Sequence, residues 1–296
     1  MKLFTLVAAL VSAPVVWCAS PSDHLQKELD RIGGAAGGRV GVAAVLIESG
    51  EHVAFHGDRP SFMASTVKFP VALLVLHLVE ESKLRLDQKV AVQKSDLAPG
   101  VTTLGGKFKP GAEFSIRDLL GLMILNSDNT ACDVLMRLSG GPQAVMARVQ
   151  ALGIEGIRVD RSEKQLAADY KRSRAQFLKD PRDTSTPDAM VALLAKFQQG
   201  ETLNMPGTVF LREMLEQSTT GQNRLKGLLP PATVVAHKTG TWGEAAINDV
   251  GVITLPGGVK HIAIAVFVSG SKKETPVVER AIAEIARAVY DHWAQP

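Results

Sequence analysis

Strand patterns occur at both ends of this chain, and helical patterns fill its middle. Two short runs with strand character lie near the N-terminus, at Arg39–Glu48 and His52–Phe55, with a Ser-Gly turn signal between them. Three more lie near the C-terminus, at Thr233–Lys238, Asn248–Leu255 and His261–Val268. A two-stranded hairpin is only marginally stable alone. The N-terminal hairpin is therefore expected to pair with the C-terminal strands in one antiparallel sheet.

Amphipathic helices are predicted outside these strands. One covers Ser22–Ile32, where apolar residues recur every three or four positions and Gly33-Gly34 would end the helix. The other covers Thr275–Trp293 at the opposite end of the chain. Both helices are expected to cover the same face of the sheet.

The fold class that follows is α/β plus all-α. A five-stranded antiparallel sheet would be flanked by the terminal helices, with an all-helical domain inserted between the two parts of the sheet. Residues 21–61 and 216–296 would form the discontinuous α/β domain, and residues 62–215 the all-α domain, which contains a loop at 161–183. The chain has 296 residues, of which 46% are hydrophobic, so it can bury a sizeable core.

The first twenty residues have the layout of a secretory signal peptide. Lys2 precedes an apolar run, Leu3–Trp17, and small residues follow. The run is short for a membrane span. We therefore expect residues 1–20 to be removed and the mature protein to be secreted or periplasmic, without a membrane anchor.

The charge balance argues against a nucleic-acid partner. The chain has 33 basic and 30 acidic residues, a net charge of +3, and this excess is too small for the concentrated basic face that such a partner requires. We expect a monomer that acts on a small molecule.

The first chemical signal lies at residues 65–68, just before the apolar run Val71–Val79. Pro70 is tolerated only in the first turn of a helix, so a helix is expected to begin close to Ser65. Lys68, three residues later, would project from the same side. A lysine amine beside a serine hydroxyl can serve as the base for a nucleophile once burial removes the lysine's proton.

Two further motifs follow in order along the chain. Ser127-Asp128-Asn129 comes after an apolar helical run, and Lys238-Thr239-Gly240 ends an apolar strand. A serine–lysine pair followed by these two triplets is the signature of class A β-lactamases and penicillin-binding proteins. The mature chain resembles a class A serine β-lactamase over nearly its whole length. An inserted helical domain also matches the two-domain fold of that family.

The resemblance implies a role for each motif residue. Ser65 would be the acylated nucleophile, and its own N–H and that of Thr241 would form the oxyanion hole. Ser127 would pass a proton to the departing β-lactam nitrogen, near the ammonium groups of Lys68 and Lys238.

A second group of residues would contact the substrate. These are Asn129, Lys238, Thr239, Gly240, Thr241 and Arg224. Asn129 would bind the acylamide side chain of the drug, and Lys238, Thr239 and Thr241 would face its carboxylate. Arg224 lies where part of the family keeps a carboxylate-binding arginine. The alternative interpretation of Arg224 is an ordinary charged residue on the surface.

Glu163 is the residue that distinguishes a hydrolase from a protein that is merely acylated. It falls in the loop 161–183, where the family places the general base that activates water for deacylation. The same resemblance makes Arg161 and Asp183 a salt bridge between the two ends of the loop. The implied reaction is hydrolysis of the β-lactam ring of penicillins and cephalosporins through a Ser65 acyl-enzyme.

Two departures from the family pattern accompany this assignment. Ala167 stands where many members have an asparagine that helps to hold the water, and the loop is several residues longer than usual. Trp242 follows Thr241 where a small residue is common, and it could be a lid on the site or packing beneath the sheet.

Two alternatives share part of the motif set. A D-alanyl-D-alanine carboxypeptidase would keep Ser65, Lys68, Ser127 and Lys238, but the family's deacylating base at Glu163 argues against it. A non-turnover β-lactam-binding protein or sensor would be acylated at Ser65 and then stall. The sequence contains no visible membrane or regulatory segment of the kind that a sensor uses.

Zinc is the rival chemistry for β-lactam hydrolysis. The seven histidines are scattered, and the closest pair, His52 and His56, has no clustered carboxylate. We therefore expect no metal site and no cofactor.

Overall fold

A computed structural model of the chain describes residues 21–107, 109 and 111–294. The expected signal peptide, residues 1–20, lies outside the described residues. Within the described part of the chain, no helix combines the length and the apolar character needed to cross a bilayer.

The strands and helices follow one another in a mixed order. The strands are β1 (Arg39–Leu46), β2 (Glu51–Phe55), β3 (Ser61–Phe62), β4 (Lys89–Ala91), β5 (Glu113–Ser115), β6 (Thr184–Ser185), β7 (Val235–Trp242), β8 (Ala246–Thr254) and β9 (His261–Ser269). The helices are α1 (Pro21–Ala36), α2 (Lys68–Glu80), α3 (Thr103–Lys107), α4 (Ile116–Leu125), α5 (Asn129–Leu138), α6 (Gly141–Ala151), α7 (Glu163–Arg172), α8 (Arg174–Phe177), α9 (Pro187–Gln198), α10 (Met205–Glu216) and α11 (Thr275–Trp293). Short 3-10 turns cover Ala64–Val67 and Lys94–Asp96.

The main sheet has five strands in the order β2-β1-β9-β8-β7, and each neighbouring pair is antiparallel. The N-terminal hairpin joins the C-terminal strands where β1 pairs with β9, with Val42 opposite Val266. The expected five-stranded antiparallel sheet is confirmed.

The two terminal helices cover one face of this sheet, as expected. Leu29 and Ile32 of α1 pack in one apolar cluster with Ile282 and Ile285 of α11 and with side chains of the sheet. Each of these four residues is at most 1% exposed. Burial of each such side chain contributes about 1.5–3 kcal/mol to folding.

The opposite face of the sheet packs against the helical part of the chain. Phe69 of α2 and Phe197 of α9 meet edge to face, with ring centroids 5.4 Å apart, and both are fully buried. Helix α2 is buried on every side from Lys68 to Leu76. A helix that is apolar all round belongs in the core, so α2 is a rigid support for the residues at its start.

Helix α1 is longer than the sequence suggests, because Gly33 and Gly34 lie inside it. A Cβ atom on Gly33 would lie 2.8 Å from Cε1 of Phe55, so glycine allows the helix to approach β2 closely. The helix ends at Ala36, and Gly37 with a φ of 66° follows it. The expected end at Gly33-Gly34 is therefore wrong.

Strand β7 also extends further than expected. The sequence placed Lys238-Thr239-Gly240 at the end of a strand, but the pairing with β8 continues to Trp242, opposite Ala246. Polar side chains occupy the interior of this strand because they line a site and do not mark a turn.

Candidate active site

Ser65 lies in the 3-10 turn Ala64–Val67 that leads directly into α2. The α-helix itself begins at Lys68, so the helix start predicted near Ser65 is displaced by one short turn. Ala64 has a φ of 47°, a left-handed conformation that is uncommon for alanine. Such strain is retained where the surrounding structure holds it in place.

The sheet holds this turn through Asn248 of β8. Its side-chain amide donates hydrogen bonds to the backbone oxygens of Phe62 at 2.9 Å and Met63 at 3.1 Å, and its oxygen accepts one from the N–H of Val268. Asn248 is fully buried. The nucleophile's turn is therefore attached to the centre of the sheet.

Strand β7 passes very close to the same turn at Gly240. A Cβ atom there would lie 2.5 Å from the backbone oxygen of Met63 and 3.1 Å from the backbone nitrogen of Thr66. Any larger residue would push β7 away from the turn. Glycine at this position brings the strand that carries Thr241 alongside Ser65.

Lys68 joins three elements of the site. Its Nζ atom donates hydrogen bonds to Ser65 Oγ at 2.7 Å, Asn129 Oδ1 at 2.8 Å and Glu163 Oε1 at 2.5 Å. Lys68 is fully buried and Glu163 is 3% exposed. A buried charge is tolerated only when it is paired and hydrogen-bonded, and here all three protons of the ammonium group have partners.

Ser127 and Lys238 form a second hydroxyl–ammonium pair. Lys238 Nζ donates to Ser127 Oγ at 3.0 Å and to the backbone oxygen of Thr239 at 3.0 Å. Ser127 has a φ of 59°, which again places a non-glycine residue in the left-handed region at the site. Burial and the nearby charge of Lys68 lower the pKa of Lys238 to about 7.

Comparisons with known proteins agree with this geometry. A family model described as "Beta-lactamase enzyme family" matches residues 24–293. β-Lactamase VEB-1 of Pseudomonas aeruginosa is 32% identical over 99% of this chain and 98% of its own length. The extended-spectrum β-lactamase PER-1 of the same organism is 37% identical over 77% of this chain and 74% of its own length.

Solved structures give the same result. The crystal structure of TLA-1 extended-spectrum β-lactamase superposes with a TM-score of 0.86 at 35% identity, over 93% of this chain and all of that one. The chain belongs to the class A β-lactamases. It is a serine hydrolase of β-lactams, as the resemblance in its sequence implied.

The structure of this β-lactamase places the four expected catalytic residues in two hydrogen-bonded groups. Hydrogen bonds link Lys68 with Ser65 and Glu163, and Ser127 with Lys238. Among the expected substrate-contacting residues, Asn129 bonds Lys68, Thr239 is 5% exposed, and Thr241 is exposed.

Arg224 is not a surface charge, because it is 5% exposed. Its Nε atom donates to Glu279 at 3.0 Å, its Nη1 to the backbone oxygen of Asn248 at 2.8 Å, and its Nη2 to Thr241 Oγ1 at 2.8 Å. The guanidinium therefore lies beside β7 and orients the Thr241 hydroxyl.

The loop 161–183 is closed by the salt bridge that the sequence indicated. Arg161 Nε donates to Asp183 Oδ2 at 2.6 Å. Arg161 also contacts Asp169 at 2.8 Å and Asp180 at 3.1 Å, and it is only 4% exposed. One buried cation thus holds both ends of the loop and its middle.

Two residues that the sequence reasoning missed support the catalytic groups. Asp133 of α5 accepts hydrogen bonds from the backbone N–H groups of Glu163 at 2.7 Å and Lys164 at 3.0 Å. Burial raises the pKa of Asp133 to about 6, against the opposing effect of these two donors. Thr220 bonds Thr239 between their hydroxyl oxygens at 2.7 Å.

Asp133 lies four residues after Asn129 and therefore on the same face of α5. This spacing is the sequence signal that could have placed Asp133 near the site. Within the described residues, histidine, cysteine and carboxylate side chains form no group that could hold a metal ion.

Replacing Asp133 by alanine is expected to lower the free energy of unfolding by about 2 kcal/mol, because two N–H groups at the start of α7, that of the buried Glu163 and that of Lys164, lose their acceptor. Urea unfolding followed by circular dichroism measures this change. Asp30→Ala is the matched control, since Asp30 is an exposed carboxylate on α1 that accepts a hydrogen bond from the neighbouring Gln26. Equal stability of the Asp133→Ala and Asp30→Ala variants would contradict the assignment.

Proposed function

We propose that the protein hydrolyses penicillins and cephalosporins, with Ser65 as nucleophile and Glu163 as the base for deacylation. The observation that carries this proposal is the placement of Lys68 Nζ at 2.7 Å from Ser65 Oγ and 2.5 Å from Glu163 Oε1. One ammonium group thus connects the nucleophile of the first step with the base of the second.

Acylation begins with a proton transfer from Lys68 to Glu163 along their short hydrogen bond. The neutral Lys68 then takes the proton of Ser65, and Ser65 Oγ forms a bond with the β-lactam carbonyl carbon. The N–H groups of Ser65 and Thr241 stabilise the resulting oxyanion. One such donor is worth about 10²–10³ in rate.

Collapse of this intermediate breaks the carbon–nitrogen bond of the ring. The departing nitrogen needs a proton, and Ser127 supplies it from its hydroxyl. The ammonium group of Lys238, 3.0 Å from Ser127 Oγ, stabilises the negative charge that develops on that oxygen. Lys68 passes to Ser127 the proton that it took from Ser65. Glu163 then returns its proton to Lys68 along their hydrogen bond, so that Glu163 is a carboxylate again before deacylation.

Deacylation needs a water molecule directed at the ester. Glu163 removes one proton from this water, and the water oxygen attacks the carbonyl carbon. The bond to Ser65 Oγ then breaks as that oxygen takes a proton from Lys68, and Glu163 passes the proton of the water to Lys68. General base catalysis of this kind contributes about 10²–10⁴ in rate. Ala167 offers no hydrogen bond to the water, so Glu163 and the serine ester must hold the water in position.

The substrate carboxylate is proposed to lie against Lys238, Thr239 and Thr241. Arg224 adds positive charge behind the Thr241 hydroxyl that it orients. Asn129 is proposed to bind the acylamide side chain of the drug. The backbone of β7 at Gly240 is proposed to run beside the substrate, since glycine there lets the strand approach the turn that carries Ser65.

The protein is proposed to be an exported monomer that acts on small-molecule β-lactams. Its signal-like residues 1–20 support export. Residues 21–61 and 216–296 are proposed as the α/β domain, and residues 62–215 as the inserted helical domain.

Glu163→Ala is expected to accumulate the Ser65 acyl-enzyme, because it slows deacylation by about 10²–10⁴ and slows acylation less. Stopped-flow absorbance with a chromogenic cephalosporin should show one rapid turnover per enzyme, followed by very slow product release. Ser65→Ala is the control and should show no rapid phase. Steady turnover by Glu163→Ala at the wild-type rate would exclude Glu163 as the deacylation base.

The pH dependence of KM tests the role of Lys238. Since its pKa lies near 7, Lys238 is charged below this pH and loses its charge above it. For a penicillin with a free carboxylate, KM is expected to rise about fivefold between pH 7 and pH 8. The charged fraction of a group with a pKa near 7 falls by about this factor over the same range.

Lys238→Arg is the control for this experiment, because arginine stays charged throughout the range. Its KM should not change between pH 7 and pH 8. A wild-type KM that is constant over this range, or the same rise in both proteins, would contradict the assignment.

A further inference from the structure

Trp242 packs against the loop 161–183 and not beneath the sheet. Its ring stacks on Phe177 with centroids 5.4 Å apart and an angle of 24°, and meets Tyr170 at 5.8 Å and Phe62 at 6.0 Å edge to face. We call Phe62, Tyr170, Phe177 and Trp242 the aromatic cluster. Each such contact contributes about 0.5–1.5 kcal/mol beyond the buried area.

The aromatic cluster supports the helix that carries Glu163. Leu166 and Tyr170 of α7 lie three and seven residues after Glu163, so all three lie along one side of the helix. Leu166 is 2% exposed and packs in the same apolar group as Phe177 and Trp242. On its other side, α7 is held at its first turn by Asp133.

On the side that faces the end of β9, part of the loop is not packed against the sheet. A cavity of about 430 Å³ separates part of the loop from the end of β9, and its lining includes Phe177, Leu178, Ser269 and Gly270. The ion pair of Arg174 with Glu244 crosses nearby at 2.5 Å, but both side chains are over one-third exposed. Exposed pairs contribute about 0–1 kcal/mol. The contact of the loop with β7 therefore depends mainly on the aromatic cluster.

We propose that Trp242 is a positioning residue for deacylation. It belongs to β7, next to the oxyanion donor Thr241, and it sets the distance between that strand and helix α7. Because Glu163 begins α7, the ring of Trp242 determines where the base stands relative to the ester. This inference rests on the proposed function of Glu163.

The expected effect differs between the two chemical steps. Lys68 is held by α2, so Trp242→Ala leaves the group that deprotonates Ser65 in place. Glu163 also takes the proton of Lys68 during acylation, but that transfer needs only their one hydrogen bond. Deacylation needs Glu163, a water molecule and the ester to be aligned together, so it is more sensitive to the position of α7. The void beneath Leu166 and Tyr170 lets α7 shift, and a misplacement of about 1 Å can cost up to about 10²-fold in rate. Damage to Thr241 instead would slow acylation and deacylation together, because the oxyanion hole serves both.

The test measures acylation and deacylation rates separately, by stopped-flow absorbance and by quenched-flow mass spectrometry of the acyl-enzyme. Trp242→Ala is expected to slow deacylation at least tenfold and acylation less than threefold. Trp242→Phe keeps an aromatic ring against Phe177 and should restore deacylation to within threefold of wild type.

Two further variants distinguish the proposed effect from a general loss of folding. Phe177→Ala removes the partner ring from the loop side, away from Thr241, and should slow deacylation selectively as Trp242→Ala does. Trp293→Ala is the matched control, because Trp293 packs in the cluster under α11 and should leave the ratio of the two rates unchanged.

Equal slowing of both steps in Trp242→Ala and Phe177→Ala, or unchanged deacylation in either variant that folds, would overturn the proposal. Failure of the proposed function has a different signature, since Glu163→Ala would then turn over at the wild-type rate or wild type itself would show no turnover.

Discussion

The buried ammonium group of Lys68 is the interaction on which the site depends. Transfer of such a charge from water into the protein costs several kcal/mol unless hydrogen bonds and an opposite charge offset it. The partners come from three separate elements: Ser65 from the 3-10 turn, Asn129 from α5 and Glu163 from α7. Removal of any one element would leave a buried charge incompletely paired, so the chain must assemble all three.

The rest of the fold supplies rigid supports for these elements. Helix α2 is enclosed by apolar side chains, Asn248 attaches the nucleophile's turn to the sheet, and Gly240 lets β7 approach the same turn. The loop that carries Glu163 has no such central position. Its ends are held by Arg161 and Asp183, its first helical turn by Asp133, and its underside by the aromatic cluster.

Local patterns were sufficient to predict the parts of the structure that depend on local chemistry. The alternating and helical apolar periodicities gave the sheet and its flanking helices, and the motif residues Ser65, Lys68, Ser127 and Lys238 do lie close together. The errors arose where tertiary contacts override local signals. Gly33-Gly34 reads as a helix end, but close contact with Phe55 places both glycines inside α1.

Contacts between residues distant in sequence could not be predicted from local patterns. Asp133 caps a helix that begins thirty positions later, and Arg224 reaches Thr241 and Glu279 from a loop without regular structure. The orientation of Trp242 depends on Phe62, Tyr170 and Phe177, which come from three different segments. No periodicity within one segment carries that information.

The most direct test of the account is intact-protein mass spectrometry of the wild-type protein mixed with benzylpenicillin. Samples would be taken from milliseconds to hours, drug loss recorded in parallel, and any adduct located by peptide mapping. The account predicts catalytic loss of the drug, with any adduct transient and confined to the peptide that contains Ser65. A persistent one-to-one adduct without turnover, or neither adduct nor drug loss, would contradict it.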